Sequence, residues 1–200
     1  YLKKKKLGLE ILDDSVQWYD AGNAETMLEA SIQVQNYEKK NNSKIGSYEI
    51  AAYEVGLIGK DGLLKIAEQT LENAYSVYSG FSVGAAALLD NGEIIVANNQ
   101  ENIAYPSSMC AERVLFYFCK SNHPNCVIKK VAITVKAVEK IIDEPISPCG
   151  GCRQVMFEYE RNQEKSIKIL LKGEVGKVYE LNSVEDLLPL AFKTDVLKRY

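Results

Sequence analysis

From residue 84 onward, apolar runs alternate with turn residues in a pattern that predicts a sheet. Gly84-Ala85-Ala86-Ala87-Leu88-Leu89 reads as a buried strand, Asp90-Asn91-Gly92 as a hairpin turn, and residues 93–97 as the returning partner. Residues 131–135, 166–171 and 177–181 are further strand candidates, the last two on either side of the turn Gly173-Glu174-Val175-Gly176. Helices fall between them. Ser107 or Ser108 can cap one that runs through Cys110 to about Lys120, apolar on nearly every face at Val114-Leu115-Phe116-Tyr117-Phe118 and therefore predicted to be buried. A second spans residues 151 to about 159, after a rigid approach between Pro145 and Pro148. This order predicts an α/β fold: a layered sheet with helices on both faces, mostly or partly parallel at its centre.

The first seventy residues follow a different pattern. Residues 7–12 alternate enough for a strand, and Ala21-Gly22-Asn23 marks a turn. Met27, Leu28, Ala30, Ile32 and Val34 predict an amphipathic helix from Ala24 to about Tyr37, stopped by the polar run Lys39-Lys40-Asn41-Asn42-Ser43. Residues 48–53 read as a short helix and 57–62 as a turn; residues 63–75 read as a further helix with Leu63, Leu64, Ile66, Ala67, Leu71 and Ala74 on its apolar side. The chain thus divides into a small, mostly helical segment, residues 1–70, and a larger α/β domain, residues 71–200.

Composition narrows the class. With 46% hydrophobic and 26% charged residues the chain reads as globular, and a formal net charge of −3 argues against a nucleic-acid partner, which would call for a basic face. A small molecule is the expected partner. The basic run Lys3 to Lys6 sits beside Glu10, Asp13 and Asp14 and reads as a solvated edge. No apolar stretch approaches the ~20 residues that span a bilayer, and no signal-peptide core precedes the first segment, so a soluble, cytoplasmic protein without a membrane partner is expected. The chain begins at Tyr1, which fits a fragment or a trimmed chain. Five cysteines fit thiolates kept for a metal better than a disulfide framework. Cys119, inside the apolar helical run, is most simply a small buried hydrophobe.

Three of those cysteines carry the chemistry. Cys110-Ala111-Glu112-Arg113 and, further on, Pro148-Cys149-Gly150-Gly151-Cys152-Arg153 place one thiol at the start of one helix and two at the start of the next. Both helix dipoles would then favour thiolate at one spot. Three thiolates hold one zinc ion per chain and leave the fourth tetrahedral position to water, whereas a structural site is closed by a fourth protein ligand. The sole histidine, His123, follows the first helix and reads as a surface residue rather than that fourth ligand. Glu112, two residues past Cys110, is placed beside the water rather than on the metal, as the catalytic proton carrier. Arg113 and Arg153, each next to a ligand, are placed to donate hydrogen bonds to sulfur and offset the net charge of three thiolates on Zn²⁺. Alone, Cys-Gly-Gly-Cys could equally be a redox pair; Cys110 and Glu112 would then have no task.

The constellation resembles the zinc-dependent cytidine deaminases of the small homo-oligomeric type over about residues 75–192. Tyr78-Ser79-Gly80-Phe81-Ser82-Val83-Gly84-Ala85-Ala86, Asn99-Gln100-Glu101-Asn102 and Leu187-Leu188-Pro189-Leu190-Ala191-Phe192 are similar to segments of that family, although Val77 stands where the family usually has proline. The resemblance implies hydrolysis of cytidine and/or deoxycytidine to the uridine form plus ammonia, in pyrimidine salvage. Asn99 and Glu101 would bind the ribose hydroxyls, Phe81 would pack on the pyrimidine, and the backbone at Ala111 would help read the base. Phe192 would close the site of a neighbouring subunit, in a tetramer or dimer. Relatives acting on blasticidin S share the zinc motif, and a non-catalytic zinc-binding module is the other reading left open. Residues 1 to about 70 resemble the C-terminal end of a glucose-1-phosphate thymidylyltransferase, through Trp18-Tyr19-Asp20-Ala21-Gly22, Met27-Leu28-Glu29-Ala30-Ser31 and Glu49-Ile50-Ala51-Ala52-Tyr53. In that family Asp20 would help hold magnesium. One aspartate without a partner carboxylate rarely does so alone, so this segment is read, without nucleotidyl transfer, as a packing or linking element, a truncated fusion, or an artefact of how the sequence was joined.

Overall fold

A computed structural model describes residues 22–41 and 60–193. The strand expected at residues 7–12, Asp20 and the helix expected at residues 48–53 lie outside the described residues. Two compact units divide the chain, residues 1–45 and 46–200.

In the first unit, helix α1 (Ala24–Asn41) begins where Asn23 stops acting as a turn residue and becomes a cap. Its Oδ1 accepts from the backbone N–H groups of Glu25 and Thr26, both at 3.0 Å, which satisfies donors that the first turn of a helix leaves free. The helix passes the expected stop and takes in Lys39 and Lys40, whose charges suit the negative end of the helix.

The second unit is built on a five-stranded sheet in the order β2-β1-β3-β4-β5. The strands are β1 (Phe81–Leu89), β2 (Ile94–Asn98), β3 (Ile128–Ala137), β4 (Lys168–Lys172) and β5 (Val178–Leu181). Only β3 and β4 run parallel; the other neighbours are antiparallel. The β1–β2 hairpin turns at the expected place, with Gly92 at φ 84°, in the left-handed region that glycine tolerates. The parallel pair is where a crossover helix must intervene. That helix is α4 (Gly150–Gln163), which lies beside α3 (Ala111–Asn122) on one face of the sheet.

Alternation along β1 decides which helix covers which face. Ala85, Ala87 and Leu89 join Leu115, Phe116, Met156 and Phe157 of α3 and α4 in one fully buried core. Ala86 and Leu88 face the other way and meet Leu63, Leu64 and Ala67 of α2 (Lys60–Gln69). Each such leucine or phenylalanine contributes about 1.5–3 kcal/mol by leaving water. Helix α2 starts within the stretch read as a turn and gives way at Thr70 to a single 3-10 turn ending at Asn73. It therefore sits on the sheet, although its sequence falls within the segment assigned to residues 1–70.

Gly84 makes the α2 contact close. A Cβ built there overlaps the Ala67 carbonyl oxygen and the Thr70 hydroxyl, and that hydroxyl is already bonded to Ala67 O at 2.8 Å and Ala97 O at 3.1 Å. Gly84→Ala is expected to destabilise the sheet–helix layer by about 1–3 kcal/mol, a fall of roughly 3–10 °C in Tm for a chain of this size. A thermal melt checks it; an unchanged Tm would show that α2 is not seated there.

Candidate zinc centre

Two helix N-termini converge on three sulfurs. Cys110 is the N-cap of α3 and Cys149 the N-cap of α4, both with extended backbone at φ −69° and −66°. Cys152, fully buried, follows in the first turn of α4. The three sulfurs lie within 4.8 Å of one another, with Cys149 Sγ 3.4 Å from Cys152 Sγ. Sulfurs ~2.3 Å from a tetrahedral zinc stand ~3.8 Å apart, so the donor set fits one zinc ion. Among the described residues this is the one group of three or more candidate ligands. His123 is elsewhere, with Nδ1 3.1 Å from Glu93 Oε2.

The thiols are electrostatically biased toward thiolate at Cys110. Its pKa falls to about 5, chiefly through a hydrogen bond from Cys152 and also through the Arg113 guanidinium. Cys152 is pushed up first by that same bond, in which it donates, and then by burial. Cys119, by contrast, is the small buried hydrophobe expected, packed among apolar side chains and pushed up to about 12 by desolvation.

Glu112 is 4% exposed. Burial raises its pKa above the ordinary carboxylate range, and the negative Cys110 acts in the same direction. Among the described residues its Oε2 has no hydrogen-bond partner, which is costly for a carboxylate held only by the fold. An unpaired buried oxygen beside three thiols fits a group that handles a reacting proton.

The two arginines differ from one another. Arg113 Nη2 reaches Cys110 Sγ at 3.9 Å and Ser108 O at 3.4 Å. The expectation that Arg153 donates to a ligand sulfur is not met. Its Nε donates to Pro148 O at 2.7 Å, Nη1 to Leu187 O at 3.1 Å and Nη2 to Ser147 Oγ at 3.0 Å. Being next to Cys152 in sequence points it along α4 toward the loop that carries Cys149, so it braces that loop from behind.

Substrate-side residues arrive on short pairings past the end of β2. Asn99, Gln100 and Glu101 run between the Tyr75 backbone and Met109, through Tyr75 N to Asn99 O at 3.0 Å, Glu101 N to Tyr75 O at 2.8 Å, and Gln100 N to Met109 O at 2.9 Å. Met109 precedes Cys110, so this lattice brings Asn99 and Glu101 to the metal ligands. Phe81, Asn99, Glu101, Cys110, Glu112, Arg113 and Cys149 all line one cleft of about 470 Å³, floored by Ile133 and Val135 of β3.

Asn99 is largely spent on the fold: Oδ1 accepts from Val83 N at 2.7 Å and Nδ2 donates to Phe81 O at 2.9 Å. Ala111 is fully buried as the first helical residue of α3 and does not line the cleft. Nor does Phe192, which is 63% exposed, with Gln154 bonded to its backbone N–H and C=O at 3.2 and 3.0 Å. Sequence reasoning missed Ser79 and Tyr105, which also line the cleft. Ser79 sat inside a quoted motif without a role; Tyr105 lies in an irregular stretch where periodicity says nothing.

A five-stranded α/β sheet that delivers three cysteines and a buried glutamate from two helix N-termini defines a protein with a single zinc centre built for reaction. The chain belongs to the family described as the cytidine and deoxycytidylate deaminase zinc-binding region, which it matches over residues 59–165. It is 39% identical over 133 residues to a cytidine deaminase of Halalkalibacterium halodurans, covering 66% of this chain and 93% of that one. It is 36% identical over 137 residues to one of Sporosarcina psychrophila, covering 68% and 92%. Among solved structures, the cytidine deaminase of Burkholderia pseudomallei superposes with a TM-score of 0.57 at 32% identity, over 66% of this chain and 98% of that one. That of Mycobacterium tuberculosis gives 0.52 at 28% identity, over 68% and 98%. A separate similarity, 32% over 78 residues, links the chain to a glucose-1-phosphate thymidylyltransferase of Mycolicibacterium smegmatis, covering 39% of this chain and 27% of that protein. No helix among the described residues is long and apolar enough to cross a membrane.

Proposed function

We infer that the chain hydrolyses cytidine and/or deoxycytidine to the uridine form and ammonia. The observation that carries this is Glu112: a buried carboxylate with an unpartnered oxygen, beside three clustered cysteines, at the end of a cleft that also holds Phe81 and Glu101. Zinc, when held by Cys110, Cys149 and Cys152, makes a water acidic enough to lose its proton near neutral pH. Glu112 would take the proton of the attacking water as its oxygen adds to C4 of the pyrimidine. The same carboxyl would pass that proton to N3, then take the proton of the added hydroxyl and give it to the amine as C4=O forms and the C4–N bond breaks, so that one water is consumed and one ammonia released. Its raised pKa suits a group that must both accept and return a proton.

The remaining residues position the substrate. Phe81 packs on the pyrimidine, Asn99 and Glu101 face the sugar hydroxyls, and the backbone at Ala111, in the first turn of α3, helps read the base. Arg113 offsets the negative charge of the three-thiolate centre. Arg153 holds the Pro148 carbonyl next to Cys149. Phe192, exposed and off its own cleft, closes the cleft of a neighbouring copy in a homo-oligomer, a dimer or tetramer. A nucleoside of this kind is met in the cytoplasm, and no nucleic-acid or membrane partner is invoked. Residues 1–70 are a nucleotidyltransferase-like piece without a phosphate-binding loop, joined to a domain at residues 71–200 whose sheet recruits α2 from the end of that piece.

The test is the absorbance change of deamination with cytidine, deoxycytidine and blasticidin S, on the intact chain and on one starting at Gly46. Turnover of cytidine or deoxycytidine by both is expected. Turnover of blasticidin S alone would move the substrate, and zinc without any turnover would make this a binding module. A folded truncation that has lost activity would give the first unit a part in the site.

A further inference from the structure

Ser79 sits where the sugar end of the cleft is decided. Its backbone N–H donates to Glu101 Oε2 at 3.2 Å, beside Tyr78 N at 2.8 Å, and its hydroxyl donates to Glu101 Oε1. The same hydroxyl oxygen accepts from Phe81 N at 3.0 Å. Gly80, at φ 63°, lets the chain reverse between Ser79 and Phe81, so that all three hydrogen bonds close on one turn. One exposed hydroxyl therefore ties together the residue that faces the sugar and the residue that packs on the base.

We propose that Ser79 is the positioning residue of the sugar subsite, holding the Glu101 carboxylate and the Phe81 backbone in one hydrogen-bonded frame. This rests on the nucleoside reading above. A carboxylate offers about four lone-pair sites; three are filled by Tyr78 and Ser79, which leaves one for a ligand in the cleft that Glu101 lines. The bond from Ser79 is also the main reason that the Glu101 carboxyl titrates below its ordinary range. An ionised carboxylate is acceptor-only, suited to a hydroxyl that donates. A sugar lacking that hydroxyl leaves the held carboxylate unmatched, so Ser79 contributes sugar discrimination as well as affinity.

The experiment is calorimetric titration of uridine, 2′-deoxyuridine and 3′-deoxyuridine into zinc-loaded wild type, Ser79→Ala and Ser79→Thr, with cytidine turnover measured on the same preparations. Ser79→Ala is expected to bind uridine roughly tenfold more weakly, the scale of losing one hydrogen bond to a charged group. The analogue without the hydroxyl that Glu101 meets should lose little, so the preference between sugars shrinks by the same factor. Ser79→Thr, which keeps the hydroxyl, should retain it. A turn-forming serine with no part in the subsite would instead weaken all three nucleosides equally. That result, unchanged uridine binding in Ser79→Ala, or a Ser79→Thr that behaves like Ser79→Ala overturns the proposal. Wild type that binds uridine with sugar preference yet does not turn over cytidine would sink the deaminase reading and leave this one standing; turnover without sugar preference would sink this one alone.

Discussion

Glu112→Gln is expected to keep its zinc and its Tm while losing at least about a hundredfold in kcat, the usual scale for removing a general acid/base. The substitution preserves shape and burial and removes only the capacity to take and return a proton. It also separates two accounts of a 4%-exposed side chain. A glutamate that merely filled space would tolerate an isosteric amide, and turnover would stay near the wild-type rate. A proton carrier would not, because no other titratable side chain lining the cleft sits two residues from a ligand: Glu101 is engaged by Ser79 and Tyr78 at the sugar end. Zinc content by metal analysis and kcat by the absorbance assay decide it. Near-normal turnover with bound zinc would reassign the proton carrier.

The zinc site was legible before any coordinates because its geometry is local. Cys110 and Cys149–Cys152 occupy helix starts, and a helix start fixes the direction of its cap residue and of the residue three positions on. The hairpin at Asp90-Asn91-Gly92 was legible for the same reason. What the sequence concealed depends on tertiary contact. Gly59-Lys60-Asp61-Gly62 has the composition of a turn, yet α2 begins at Lys60, since Leu63, Leu64 and Ala67 gain more by meeting Ala86, Leu88 and Leu170 than Gly62 costs. Ser108 looked like a helix cap; its hydroxyl instead accepts from Asn102 N at 2.9 Å, which leaves Cys110 to start the helix. Strand direction was hidden too, because a short apolar run looks alike in parallel and antiparallel pairs. Arg153 shows the limit of adjacency: it neighbours Cys152 in sequence and reaches Pro148, Ser147 and Leu187 in space.

Cys110→Ala should lose zinc and turnover together, and its loss of stability should equal what a chelator removes from the wild type. The two remaining thiols, 3.4 Å apart on α4, cannot complete the coordination that three ligands and a water provide. A metal bound only by the folded chain stabilises it by mass action, ~4 kcal/mol when present at a thousand times its Kd, or roughly 10–15 °C in Tm for a chain of this size. Wild type stripped with a chelator should therefore melt with the variant, and the variant should ignore the chelator. Controls follow from the same map. Cys119→Ala removes a buried sulfur from the apolar core and should lower Tm modestly with zinc intact. His123→Ala breaks a contact to Glu93 and should leave metal and turnover unchanged. If Cys110→Ala kept stoichiometric zinc, the ligand set would have to be redrawn around another residue, and Glu112, two residues away, would be the first candidate.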